Sequence, residues 1–260
     1  MIIVISPAKT LDFETPPITR ESTQPIFLDD SAKLIDALRE LEPDQICQLM
    51  SISPKLGILN SNRYHTWKRP FTLKNSKQAI FAFRGDVYTG LDAVTMNAAE
   101  LAFAQDHLRI LSGLYGLLHP LDLIQPYRLE MGTQFKNSRG KNLYEFWGDK
   151  ITPALNQDLK QQKDSILINL ASNEYFQSIQ TKNLEARIIT PVFKDEKNGV
   201  YKIISFFAKK ARGMMSRYII QNKLTDPETI KEFDVTGYQF DEKNSTQDEW
   251  IFTRAESKAA

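Results

Sequence analysis

Cysteine and histidine are scarce: 260 residues carry one cysteine, Cys47, and three histidines. A lone cysteine excludes an intramolecular disulfide and a cysteine-rich metal site, and it favours a reducing compartment. His65, His107 and His119 have no metal-ligand spacing and no Glu-x-x-His occurs, so each reads as structural or surface and no metal is expected. Cys47, beside apolar Ile46, reads as a buried free thiol rather than a redox sensor. Neither Gly-x-Gly-x-x-Gly nor a Walker pattern is present, so no nucleotide cofactor is expected. No apolar run approaches the ~20 residues of a membrane span. The opening Met1-Ile2-Ile3-Val4-Ile5-Ser6 has no basic flank or cleavage site, and reads as a strand rather than a signal peptide. Internal repeats and low-complexity tracts are absent too. With 42% apolar and 25% charged residues, the composition is that of a folded globular protein.

Net charge is also nearly missing, at +1, but the total hides a segregation. From Gln45 to Arg84 there is no acid and there are seven bases: Lys55, Arg63, Lys68, Arg69, Lys74, Lys77 and Arg84. From Lys197 to Lys223 there is again no acid, with Lys197, Lys202, Lys209, Lys210, Arg212, Arg217 and Lys223. From Asp226 to Glu249 eight acids face only Lys231 and Lys243. Two acid-free runs point either to a face for a polyanion or to patchy solvated surface.

Hydrophobic periodicity predicts a mixed α/β (α+β) fold in a single compact domain over residues 1–254, with a frayed tail at 255–260. Strands are expected at 1–6, 78–83, 109–111, 165–170, 187–193 and 200–206, with a closing hairpin of 238–240 and 250–252. Helices are expected at 31–41, 44–51, 55–67, 97–107, 143–161 and 208–223, the fifth interrupted or kinked at Pro153. Residues 7–30, with Pro7, Pro16, Pro17 and Pro25, read as an extended loop.

Two constellations bear on binding. Projected at 100° per residue, the helix over 208–223 gathers Lys209, Lys210, Arg212 and Arg217 around Gly213 and Ser216, opposite an apolar arc that includes Met214 and Met215. A helix-interior glycine costs ~1 kcal/mol against alanine. Its presence implies a close approach, by a ligand or by another element. The second constellation, 46–67, resembles the helix-hairpin-helix module of nucleic-acid proteins. Helix-start amides there would bind phosphate, with Lys55, Asn60 and Arg63 adding contacts, although Pro54 supplies no amide donor. A plain helical hairpin is the alternative. Ser6-Pro7-Ala8-Lys9 fits a Ser-x-x-Lys pattern, but the companion Ser-Asp-Asn and Lys-Thr-Gly signatures of penicillin-recognising enzymes are missing.

The stretches Ile5–Asp12, Leu111–Leu118, Pro126–Gly132, Asn169–Phe176, Ile204–Gly213 and Thr236–Tyr238 resemble, in order, those of the bacterial peroxide stress resistance protein YaaA family. The resemblance covers residues 1 to about 254. It implies a compact α/β fold unlike common superfolds, with an embedded helix-hairpin-helix and a positive cleft that binds DNA. It also implies a cytosolic protein that protects against hydrogen peroxide, with lower free iron and less oxidative DNA damage.

Two functional readings follow. In the first, DNA is held with low sequence specificity by Lys9, Lys55, Asn60, Arg63, Lys209, Lys210, Arg212 and Arg217, away from any membrane. In the second, a polar set of Ser6, Lys9, Tyr127, Arg128, Glu130, Asn169, Ser172 and Glu174 forms a pocket for a small-molecule ligand or for catalysis on a nucleobase, nucleotide or nucleic acid. Glu130 and Glu174 favour the second reading, because a phosphate clamp needs no acid.

Overall fold

A computed structural model of the chain describes residues 1–258. The elements, in chain order, are β1 (Ile2–Ile5), β2 (Thr10–Leu11), α1 (Leu28–Arg39), α2 (Pro43–Met50), α3 (Pro54–Thr66), β3 (Lys77–Gln78), α4 (Ala79–Ala82), β4 (Phe83–Arg84), α5 (Asp86–Leu91) and α6 (Ala98–His107). Then come β5 (Leu108–Ser112), β6 (Gly116–Leu118), β7 (Leu123–Ile124), α7 (Leu143–Trp147), α8 (Ile151–Lys160), β8 (Ile166–Leu170), α9 (Asn173–Phe176), β9 (Arg187–Lys197), β10 (Val200–Lys202), α10 (Ser205–Gln221), β11 (Tyr238–Phe240) and β12 (Glu249–Arg254).

The fold is mixed α/β. An eight-stranded mixed sheet runs β11-β12-β9-β8-β1-β5-β6, with β10 added to the end of β9. The pairs β12–β9, β9–β8, β8–β1 and β1–β5 are parallel, and the outer pairs β5–β6 and β11–β12 are antiparallel. Central parallel strands are covered on both faces, so they read as unbroken apolar runs. Ile2–Ile5 and Leu108–Ser112 are buried at every position. Each fully buried aliphatic side chain contributes roughly 1.5–3 kcal/mol.

The long strand β9 changes partners along its length. Ile188 and Ile189 lie beside Leu167 and Ile168, Thr190–Asp195 lie beside Glu249–Arg254, and Asp195–Lys197 pair with Val200–Lys202. One side stays inside throughout, through Ile189, Pro191, Phe193 and Asp195. Buried Asp195 is held by Arg254 Nε at 2.7 Å and by the Tyr238 hydroxyl at 2.9 Å.

Several sequence expectations needed correction. The strand expected at 78–83 is interrupted by α4, whose four residues are all buried. A fully apolar run has no periodicity to separate helix from strand. Here the Ala79 and Ile80 amides donate to the carbonyls of Asp122 and Pro120, which starts a turn. The helix expected at 143–161 does divide into two segments, with Pro153 in the first turn of the second, α8, while the break itself lies at Gly148, which has φ +45°. The strand expected at 200–206 stops at Lys202, and α10 already begins at Ser205. Within the expected tail, residues 256–258 form a 3-10 turn, and 259–260 lie outside the described residues.

Helix α5 was not anticipated, and it explains Gly213. A Cβ on Gly213 would lie 1.8 Å from the Val87 carbonyl oxygen, and one on Gly90 would lie 2.2 Å from the Lys210 carbonyl oxygen. The two helices therefore cross backbone to backbone at a reciprocal glycine contact. Close approach by an element, not by a ligand, accounts for the glycine. The hairpin α2–α3 is closed the same way, by Gly57 lying against Cys47 and the Pro43 carbonyl.

Candidate nucleic-acid interface

The strand order reverses direction at the middle of the sheet. From β1 the chain proceeds to β5 on one flank, and from β8 it proceeds to β9 on the other. Crevices at the carboxyl ends of strands form at such switch points. Here Ser6 leaves β1 and Ser172 follows β8. The Ser172 amide donates to Ser6 Oγ at 2.9 Å, and the two hydroxyls are 3.3 Å apart. The Tyr88 hydroxyl donates to the Ser6 carbonyl at 3.2 Å.

The rest of the polar set is also held by hydrogen bonds and ion pairs. Glu130 accepts from Arg128 at 2.9 Å and from Lys9 at 3.1 Å. Tyr127 shares a 2.6 Å hydrogen bond with Ser112. Asn169 accepts from the Ala171 amide at 3.1 Å, and Glu174 accepts from the Gly132 amide at 3.0 Å. Burial raises the pKa of Tyr88, Tyr127 and Tyr175, so these phenols stay neutral and cannot serve as bases at neutral pH. Ser6 and Ser172 thus satisfy each other, Lys9 and Arg128 share Glu130, and Tyr127, Asn169 and Glu174 are held by partners outside the set. The hollow between Lys9, Arg128, Glu130, Tyr127 and Tyr175 closes to about 10 Å³, room for one water at most.

Beyond this pinch β2 and the loop that follows it, together residues 10–14, bound a wider trough. One hollow of about 450 Å³ is lined by Thr10, Asp12, Arg63, Arg84 and Pro126. Sharing Phe13, Glu14 and Pro126 with it, a second of about 560 Å³ reaches Arg20, Lys74 and Lys77. Lys77 is committed: its ammonium donates to the carbonyls of Asp12 and Thr15 at 2.8 and 2.7 Å. Asp12 is held down to about pH 2, chiefly by the backbone and side-chain hydrogen bonds of Thr15, and so stays ionised.

Arg63 is the exception in this trough. It is half-buried, and its one hydrogen bond is to the neutral Asn60 amide oxygen at 3.2 Å. Burial lowers its pKa, and the neighbouring Arg128 charge pushes it further down. No carboxylate lies within ion-pair distance of it among the described residues. Arg84, largely exposed, is 3.9 Å from Asp12.

The other sequence-proposed residues lie elsewhere. Asn60 is fully buried and bonded to the Leu56 carbonyl at 2.8 Å, so it orients Arg63 and is closed to any ligand. Lys55 is exposed at the start of α3. On α10, Lys209 and Lys210 are exposed, but α5 covers the glycine between the cations. Arg217 reaches across to donate to the Leu91 carbonyl at 3.1 Å and to that of Asp92. It caps α5 and is not free for an anion. Arg212 is mostly out of water, and burial lowers its pKa. The trough also contains Arg20, Lys74 and Arg84, which sequence reasoning left out of the site. Lys74 and Arg84 belong to the first acid-free run; nothing in the sequence singled out Arg20.

The family model for peroxide stress protein YaaA matches residues 1–244. The chain belongs to that family. A UPF0246 protein of Cellvibrio japonicus (strain Ueda107) is 61% identical over 256 residues, covering 98% of this chain and 99% of the relative. A UPF0246 protein of Teredinibacter turnerae is 60% identical over 254 residues, with the same shares covered. No helix among the described residues is long and apolar enough to cross a membrane.

Proposed function

We propose that this member of the peroxide stress family is a cytoplasmic DNA-binding protein, and that the trough between residues 10–14 and Pro126 receives the nucleic-acid backbone. The observation that carries the reading is Arg63. A half-buried guanidinium without a carboxylate partner beside a second guanidinium is unfavourable unless an anion arrives. It opens into a hollow that Arg84 also lines, with Arg20 and Lys74 farther along. Such contacts position a phosphate backbone without reading bases. The α2–α3 hairpin serves as the helix-hairpin-helix of this reading. It presents Lys55 and Arg63 from one helix, while Pro54 removes one amide from the helix start.

The alternative, an enzyme acting through Ser6, Lys9, Arg128, Glu130, Asn169 and Ser172, is less well supported. Lys9 and Arg128 both bond to Glu130 beside a space of about 10 Å³, too small for a base, while Ser6 and Ser172 bond to each other and Asn169 accepts from the Ala171 amide. Limited free iron belongs to the expected phenotype. No group of three or more His, Cys, Asp and Glu among the described residues is placed to hold a metal ion, and the proposal gives the iron effect no site on this chain.

The test is the double variant Arg63→Gln/Arg84→Gln. Duplex DNA affinity should fall while thermal unfolding stays within a few degrees, and the variant should fail to restore peroxide survival to a strain lacking the protein. Unchanged affinity in a folded variant removes the trough from the interface.

A further inference from the structure

The hairpin β9–β10 and the start of α10 carry an apolar patch that the trough does not use. Val200 is 61% exposed, Tyr201 46%, Ile203 60% and Phe206 57%, all within seven residues. Large apolar side chains clustered in the open mark an interaction surface. The patch is also built to be rigid. The turn Asn198-Gly199 has φ +56° and +75°, and it projects the hairpin. The Phe206 ring meets Phe207 edge-on at 5.6 Å, and Phe207 lies 4.8 Å beneath the Arg254 guanidinium, which is anchored to Asp195.

Cations flank these rings along the chain. Lys197, Lys202, Lys209 and Lys210 are exposed, and none forms an ion pair among the described residues. The nearby acids are engaged at the hairpin base. Glu196 accepts the Glu256 amide at 3.2 Å, and Glu256 accepts the Asn198 amide at 3.3 Å. Flat exposed rings interleaved with unpaired lysines match a chain in which each unit offers one flat base and one negative charge. Stacking of unpaired bases on aromatic side chains, with lysines on the backbone, is how single strands are held without sequence preference.

We propose that Tyr201 and Phe206, with Lys202, Lys209 and Lys210, form a stacking platform for single-stranded nucleic acid, separate from the trough. The proposal rests on the nucleic-acid reading above and names the form recognised. Duplex DNA keeps its bases stacked internally and engages the trough through phosphates alone. A strand with unpaired bases engages the platform as well.

The experiment uses the full chain and three probes: a short oligothymidylate carrying 2-aminopurine, the matching duplex, and phosphatidylserine-containing vesicles. The variants are Tyr201→Ala/Phe206→Ala and Tyr201→Trp/Phe206→Trp. Both sites are exposed, so both variants should fold. The alanine variant should bind the oligothymidylate about tenfold more weakly for each ring removed, lose the 2-aminopurine quenching, and keep its duplex affinity. The tryptophan variant should retain both. Unchanged oligothymidylate binding by the alanine variant, with duplex binding intact, overturns the platform and leaves the trough standing. A wild-type protein that binds neither nucleic acid overturns both proposals. Vesicle binding that the alanine variant loses, with oligothymidylate affinity unchanged, overturns the platform and assigns the patch to an anionic lipid surface.

Discussion

Replacing Gly213 by alanine isolates the contact that shapes α10. Helix propensity alone favours the change by ~1 kcal/mol. The packing opposes it. The new methyl carbon would sit 1.8 Å from the Val87 carbonyl oxygen and 2.8 Å from the Leu91 amide nitrogen. Both are backbone atoms, so no side-chain rotation relieves the overlap, and α5 must move away by more than an ångström. Overpacking of this sort costs typically ~1–3 kcal/mol, occasionally more. Separation of the helices also strains the Arg217 bonds to the end of α5. Less the ~1 kcal/mol propensity gain and with the strained Arg217 bonds added, a net loss of ~1–2 kcal/mol is expected, which lowers the Tm of a chain this size by roughly 2–8 °C. Scanning calorimetry on Gly213→Ala measures it, with duplex DNA affinity of the folded protein unchanged. A Tm equal to or above wild type would refute the backbone contact, since that is the outcome of propensity acting alone.

Other outcomes follow from the same geometry. Arg217→Ala should destabilise by about 1–2 kcal/mol through two lost bonds to α5 carbonyls, and should leave the salt dependence of DNA binding unchanged; denaturant unfolding and an anisotropy titration read the two effects. His119 is one group expected to give pH dependence near neutrality. Burial opposes its charge, but hydrogen bonds to Asp122 and Asp158 win and raise its pKa above 6.5. A raised folded pKa means that its contribution is complete below about pH 6.5 and is lost as pH climbs through the higher folded value. The Tm advantage of the wild type over His119→Gln should therefore shrink as pH rises above about 6.5, a difference that cancels the opposite trends of His107 and the Met1 amine, whose pKa values burial lowers.

The parts of the fold that were legible carry strong local signals. β1, β5 and β8 are short runs with buried aliphatic residues, α1 has apolar periodicity through Leu34, Ile35 and Leu38, and α6 has a cap. At α6, Asn97 and Glu100 form a reciprocal capping box. What stayed hidden depends on distant partners. α4 is turned by carbonyls more than thirty residues away. α5 is a six-residue helix whose existence depends on packing against α10. The partner changes of β9 leave its alternation intact, so sheet order could not be read from it.

The site was legible in the same uneven way. The acid-free run to Arg84 supplied residues of the trough, and the motifs with Lys9, Arg128 and Glu130 supplied the small hollow beside it. The projection of α10 exposed Arg217 and Gly213 only because α5 was not in view. Charge on a helix face says nothing about which neighbour lies across it.

The account turns on phosphate contacts in the trough, and the salt dependence of duplex binding measures them most directly. Four to six contacts predict a slope of log affinity against log salt of roughly −4 to −5 for the wild type. Removing the charges of Arg63 and Arg84 should make that slope shallower by about two units. A wild-type slope near zero, or an unaltered slope in the folded double variant, would contradict it.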